Sequence, residues 1–137
     1  MADLSSITAV RPTSDTQVQR VTYGATVALA QPLYQDASDE NKWKPADCDL
    51  SVLAAAAKGI AITPGVDDGY GLVATGGSVI LVGTTMAVGT NYIVSDTAGG
   101  IKPTSDAASG DWVTNLGNAT SATELKLLIN ATGNQVP

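Results

Sequence analysis

The residues that could do chemistry in this 137-residue chain are few, and the most versatile of them, histidine, is absent. Imidazole is the usual general base, the usual partner of serine and cysteine nucleophiles, and a frequent zinc ligand. Cys48 is the one cysteine, so neither an internal disulfide nor a thiolate metal cluster can be assembled. Its nearest cation in sequence is Lys44, and the thiol reads as a small buried or half-buried group and not as a nucleophile. Adjacent carboxylates occur at Asp39-Glu40 and Asp67-Asp68. Paired carboxylates divide acid and base duties only across a cleft, whereas both pairs lie in turn-forming stretches where Asp bonds to local backbone. Asp67-Asp68-Gly69 lacks the regular spacing of a calcium loop. Gly69-Tyr70-Gly71 and Thr75-Gly76-Gly77 lack the glycine-lysine-serine ending of a phosphate loop and sit between strands. No catalytic residue, cofactor or metal site is therefore expected.

Composition narrows the partners. Seven basic residues stand against 13 acidic ones, a net charge of −6, which disfavours nucleic-acid phosphates and anionic membrane surfaces as ligands. Leu50 to Ile62 is the longest apolar run, and it is broken by Lys58 and Gly59 and too short to span a bilayer. The opening Met1-Ala2-Asp3-Leu4 has neither a basic nor an apolar export region, so synthesis in a cytoplasm is expected. Asn118-Ala119-Thr120 and Asn130-Ala131-Thr132 match the glycosylation pattern, but without an export signal the match is read as accidental.

The elements that must position these residues read as β-structure. Apolar residues make up 44% of the chain and charged ones 15%, with no phenylalanine; small and β-branched side chains suit thin, closely pleated sheets. Residues 1–17 read as an extended N-terminal arm and 18–137 as one β-domain. From Val18 the period is two, with Gln19, Val21 and Tyr23 on one face and Arg20 and Thr22 on the other. Further strands are expected at Thr26–Leu29, at Leu33–Gln35 and Trp43–Lys44 as a hairpin, and at Gly59–Thr63, Tyr70–Ala74 and Ser78–Val82. A turn at Thr75-Gly76-Gly77 separates the last two. Asn91–Ser95, Gly100–Lys102, Trp112–Leu116 and Glu124–Asn130 complete the set. One short helix is predicted near 50–58, with Asp49 as its cap and Gly59 as its stop. About ten short strands read as a small antiparallel sandwich or barrel.

An echo runs through the chain at a spacing of 58 positions. Tyr34, Lys44, Pro45, Ser51, Gly59 and Ala61 recur as Tyr92, Lys102, Pro103, Ser109, Gly117 and Ala119. Two similar β-units, about 24–82 and 83–132, would account for it. Trp43, Trp112, Tyr34 and Tyr92 are the anchors expected for a core or an interface.

The succession Val27-Ala28-Leu29-Ala30-Gln31-Pro32-Leu33-Tyr34, Lys44-Pro45-Ala46-Asp47, Lys58-Gly59-Ile60-Ala61, Thr63-Pro64-Gly65 and Leu72 to Val79 resembles the capsid decoration, or cement, proteins of tailed bacteriophages. So does Gly89-Thr90-Asn91-Tyr92 with Gly99-Gly100-Ile101-Lys102-Pro103 and Leu116-Gly117-Asn118-Ala119. The resemblance spans roughly residues 24 to 130 and consists of turn grammar. It implies a non-enzymatic virion protein, made in the host bacterial cytoplasm, that binds the major capsid protein on the outer face of an assembled head and stabilises it, often as a homotrimer. Leu4, Ile7, Val10 and Arg11 are then the candidate capsid contacts, on an arm able to add a strand to a sheet edge. A tail, baseplate or fibre module is the alternative. A carbohydrate-binding module, stacking sugars on Trp43 or Trp112, is a further one.

Overall fold

A computed structural model describes residues 3–137; residues 1 and 2 of the expected arm lie outside the described residues. The strands are β1 (Ala9–Pro12), β2 (Gln17–Thr22), β3 (Pro32–Asp36), β4 (Lys42–Pro45), β5 (Gly59–Ala61), β6 (Tyr70–Val82), β7 (Asn91–Val94), β8 (Ile101–Pro103), β9 (Trp112–Ala119) and β10 (Glu124–Gln135). All ladders between them are antiparallel, and they join in one curled ten-stranded sheet. The all-β expectation holds.

The expected turn at Thr75-Gly76-Gly77 is instead the middle of a single 13-residue strand. The first half of β6 pairs with β2 and β5, and its second half with β1 and β10. Gly77 lies at the changeover with φ +76°, and a Cβ there would collide with the carbonyl of Asp15 in the β1–β2 turn. Glycine serves here as a junction: it lets a neighbouring backbone come close while the strand changes partners. The turn locks onto the junction, because Thr16 donates its hydroxyl to the Ser78 carbonyl and the Ser78 N–H donates to Asp15 Oδ1.

β1 also corrects the reading of residues 1–17 as an arm. Residues 9–12 are a strand in register with Val79–Val82, and Gln17 already belongs to β2. The physical reason is burial: Val10 enters the core while β1 fills the ladder groups of β6 opposite β10. The predicted helix is also shorter, α1 (Val52–Ala55), and its cap is Ser51, whose hydroxyl accepts from the Ala54 N–H, where Asp49 was expected. Thr26–Leu29 forms only an isolated bridge at Val27.

The order β4-β3-β5-β6-β10-β9-β7-β8 is palindromic in its roles. In each half a hairpin (β3–β4 or β7–β8) meets a return strand (β5 or β9), which pairs with a central strand (β6 or β10). A short helical turn lies between the hairpin and the return strand in both halves, α1 in one and Thr104–Asp106 in the other. The 58-position echo maps onto this repeat: Gly59 and Gly117 hold equivalent places, each where a Cβ would press on a carbonyl of the next strand, Ala74 or Lys126. The registers differ by one residue. Tyr34 stands opposite Lys44, but Tyr92 stands opposite Pro103 and Lys102 opposite Ile93, which sends the two lysines to different faces relative to their tyrosines.

Two clusters fill the interior. The larger includes Val10, Ile60, Val79, Leu81, Tyr92, Leu116 and Leu125. The smaller packs Val21, Tyr23, Val27, Leu33, Trp43, Ala61 and Val73 where a parallel bridge from Tyr23 to Trp43 curls β2 onto β4. The Tyr23 hydroxyl donates to the Thr63 carbonyl at 2.7 Å, which satisfies its polar end.

Gly77→Ala should lower stability by about 2–4 kcal/mol, since it combines a positive φ with a backbone collision. Gly133→Ala, at φ +70° with open space around it, should cost only about 1 kcal/mol. Urea denaturation of both variants tests the contrast, and equal losses would show that the junction is not tightly packed.

Candidate interaction surface

The proposed contact residues do not project as an arm. The Leu4 N–H donates to the Ile101 carbonyl at 2.8 Å, Leu4 and Ile7 pack against the larger core, and Val10 is buried. Of the four, only Arg11 is exposed. The segment is apolar because it seals the molecule's own core, a use that composition cannot distinguish from docking. The four aromatic anchors resolve similarly toward the interior. Trp43 and Tyr92 are buried, and Tyr34 and Trp112 lean partly buried on the larger core. With its ring inside the smaller cluster, Trp43 offers no flat face for a sugar.

The polar residues settle into pairs. Lys44 Nζ reaches Asp36 at 2.8 Å and Asp39 at 3.0 Å, and Lys42 Nζ reaches Asp68 at 2.5 Å. Hydrogen bonds from Lys44 and then Ser38 hold Asp36 down at about 2. Both sequence-adjacent carboxylate pairs thus contribute to turns braced by β4 lysines, and they meet at Lys42, whose Nζ also lies 3.8 Å from Asp39. Asp47 is pushed up to about 6, by burial first and then by Asp49 beside it, while its Oδ1 accepts from the Asp49 N–H within its own turn. Among the described residues, no three His, Cys, Asp or Glu side chains converge as metal ligands.

One interior group was not foreseen from the sequence. Lys102 Nζ donates to Asp111 Oδ2 at 2.6 Å with both side chains buried, and Asp111 also accepts from the Ala108 N–H at 2.9 Å. Burial works against both charges. The mutual hydrogen bond outweighs it, so Lys102 lies above the usual lysine value and Asp111 below the usual carboxylate value. The buried Cys48 thiol beside them is pushed up to about 12, by burial and then by the Asp111 charge. Cys48 backbone atoms complete the tie: its N–H donates to the Ser95 carbonyl and its carbonyl accepts from the Trp112 N–H. The segment before α1 is thereby stitched into the opposite half of the sheet. The echo contained a signal for this, since Lys102 is the counterpart of Lys44, but its burial depends on the one-residue register difference.

What remains exposed and unusual is one sheet face. Val18 is 46%, Tyr70 66% and Leu72 39% exposed, on neighbouring positions of β2 and the first half of β6. Arg20 lies among them, opposite Leu72 in register, with its guanidinium 4.4 Å from the centre of the Tyr70 ring. Such a stack contributes about 0.5–1 kcal/mol at an exposed site. Among the described residues Arg20 has no ion-pair partner. Shallow depressions flank the stack, one lined by Val21 and Thr22 and the other by Thr63, Gly71 and Leu72. Tyrosine and arginine over an apolar floor is the composition of interface hot spots. A second apolar group, Leu50, Val52 and Leu53, stands out around α1. The chain matches no protein-family model and no curated protein sequence.

Removing one partner of the buried ion pair, as in Lys102→Met, should cost about 3–5 kcal/mol, and Lys102→Met with Asp111→Leu should recover much of it. Cys48 adds an alkaline dependence. Its folded pKa lies above its unfolded value, so its contribution is complete below about pH 8.5 and falls as pH rises toward about 12. Urea midpoints should therefore drop in that window and drop less in Cys48→Ala. A flat profile in the parent protein would contradict the thiol's burial.

Proposed function

We propose that this protein is a non-enzymatic virion component that binds the outer surface of an assembled phage capsid through the major capsid protein and stabilises the head. The observation that carries the reading is the exposed Val18–Arg20–Tyr70–Leu72 face, built on a continuous sheet with its interface-type side chains turned outward. The turn-by-turn resemblance to decoration proteins supports it as well. The polar side chains most able to do chemistry are engaged in holding turns and in tying the two halves together.

The energetics suit repeated attachment. Burying one such side chain contributes about 1.5–3 kcal/mol, while association loses about 4–15 kcal/mol of rigid-body freedom. One small face is therefore weak, and symmetric copies on a repeating shell sum to a strong attachment. A homotrimer would present three faces at once, and the exposed apolar group around α1 is the surface available for contact between copies.

The test adds purified full-length protein to expanded heads lacking it, followed by sedimentation and heating. Saturable co-sedimentation, a higher temperature for DNA release and a mass three times that of one chain are expected. Density confined to tails or baseplates, or no co-sedimentation at micromolar protein, would overturn the reading.

A further inference from the structure

We propose that β2 is an open sheet edge that accepts an extended strand from a protein partner, and that Arg20 selects a partner carrying a carboxylate opposite it. The inference rests in part on the capsid reading, because it names how that surface would be held.

Five strands have an edge without a partner strand: β1, β2, β4, β8 and, beyond Leu127, β10. Unpaired edges invite adventitious pairing, and proteins guard them with proline, lysine, brevity or bulges. Four of the five are guarded, β10 by two register shifts beyond Leu127. β1 is four residues long and ends in Pro12, β4 carries Lys42, Lys44 and Pro45, and β8 is three residues ending in Pro103. β2 has six residues, Gln-Val-Gln-Arg-Val-Thr, with neither proline nor lysine, and its one register shift lies at its first residue. Gln17 to Arg20 are all exposed.

The backbone parity identifies which groups are available. The Tyr23 N–H donates to the Gly69 carbonyl, on the β6 side. In an antiparallel ladder the residues that exchange bonds alternate, so Val21 and Gln19 also face β6. The N–H and C=O of Val18, Arg20 and Thr22 then point outward. Gly24 continues the outward set and meets β4, its N–H donating to the Trp43 carbonyl at 2.8 Å. The outward groups from Val18 to Thr22 form no hydrogen bond elsewhere among the described residues. The edge is thus closed at one end and open for the length of a short strand.

Side chains supply the selection. Val18, Arg20 and Thr22 share one face of β2 with Ala74, Leu72 and Tyr70 directly opposite on β6. A strand added beyond β2 would lay alternate side chains beside Val18, Arg20 and Thr22. Arg20 is already held by Tyr70, so little freedom remains to be lost when a carboxylate approaches. A second copy paired through the same edge about its centre would set Arg20 against Arg20, a like-charge contact that disfavours self-pairing. An acidic-apolar strand from a different protein fits both the edge and the charge.

The probe is an acetylated octapeptide of alternating threonine and valine in which one central valine is glutamate, titrated into the isotope-labelled full chain. Amide shifts should centre on Val18, Arg20 and Thr22, and a lysine version of the peptide should bind at least fivefold more weakly. Val18→Pro removes an outward donor and no β6 bond, and should abolish binding. Arg20→Glu touches no backbone group and should reverse the preference toward the lysine peptide. Shifts elsewhere only, or equal affinity for both peptides, would overturn the inference. On heads, parent protein that binds while Val18→Pro and Arg20→Glu bind equally well would also overturn it and leave the capsid reading standing. Peptide docking at β2 without head binding would support the edge and sink the capsid reading.

Discussion

The structure depends on one strand serving two halves. β6 runs for 13 residues, giving its first half to β2 and β5 and its second to β1 and β10. A strand that exchanges both neighbours in mid-course must let another backbone pass close by, and Gly77 provides that passage under the β1–β2 turn. Val73 and Ala74 face the interior before the junction, and Val79 and Leu81 after it, so the same strand seeds both clusters. β1 and β2 are therefore parts of the sheet and not appendages to it.

A second tie joins the halves away from β6. The segment around Cys48 crosses from one hairpin to the loops of the other, where it meets the Lys102–Asp111 pair. A buried ion pair adds little net stability compared with an apolar replacement, but removing one partner is expensive because it strands the other charge. The molecule keeps a lysine and an aspartate inside while leaving a valine, a leucine and a tyrosine outside on β2 and β6.

The duplicated order of strands bears on the same point. Each half ends in an outer strand carrying lysine and proline, β4 in one and β8 in the other, and β1 carries proline too. These three protected edges and the open edge of β2 therefore differ in single residues. β2 also bears Arg20, which stacks on Tyr70 on the exposed face.

Period-two patterning was legible in the sequence wherever one side of a strand is buried and the other wet. Val21 and Tyr23 inside against Arg20 outside, and Leu125 and Leu127 inside against Lys126 outside, follow directly from alternation. The β3–β4 hairpin and the β class were legible for the same reason, because local pattern and turn chemistry suffice for them. Gly76-Gly77 misled, because a glycine pair looks alike in a turn and in a strand that another backbone crosses. Leu4, Ile7 and Val10 misled as well, because apolar side chains seal a domain's own core as readily as a partner's. By itself the sequence determined that this is a β-protein of short strands that contains no histidine. Only the tertiary structure decided which strand edge stays open, which lysine is buried and which aromatics face outward, since these turn on long-range register, and a one-residue shift exchanges the two faces of a strand.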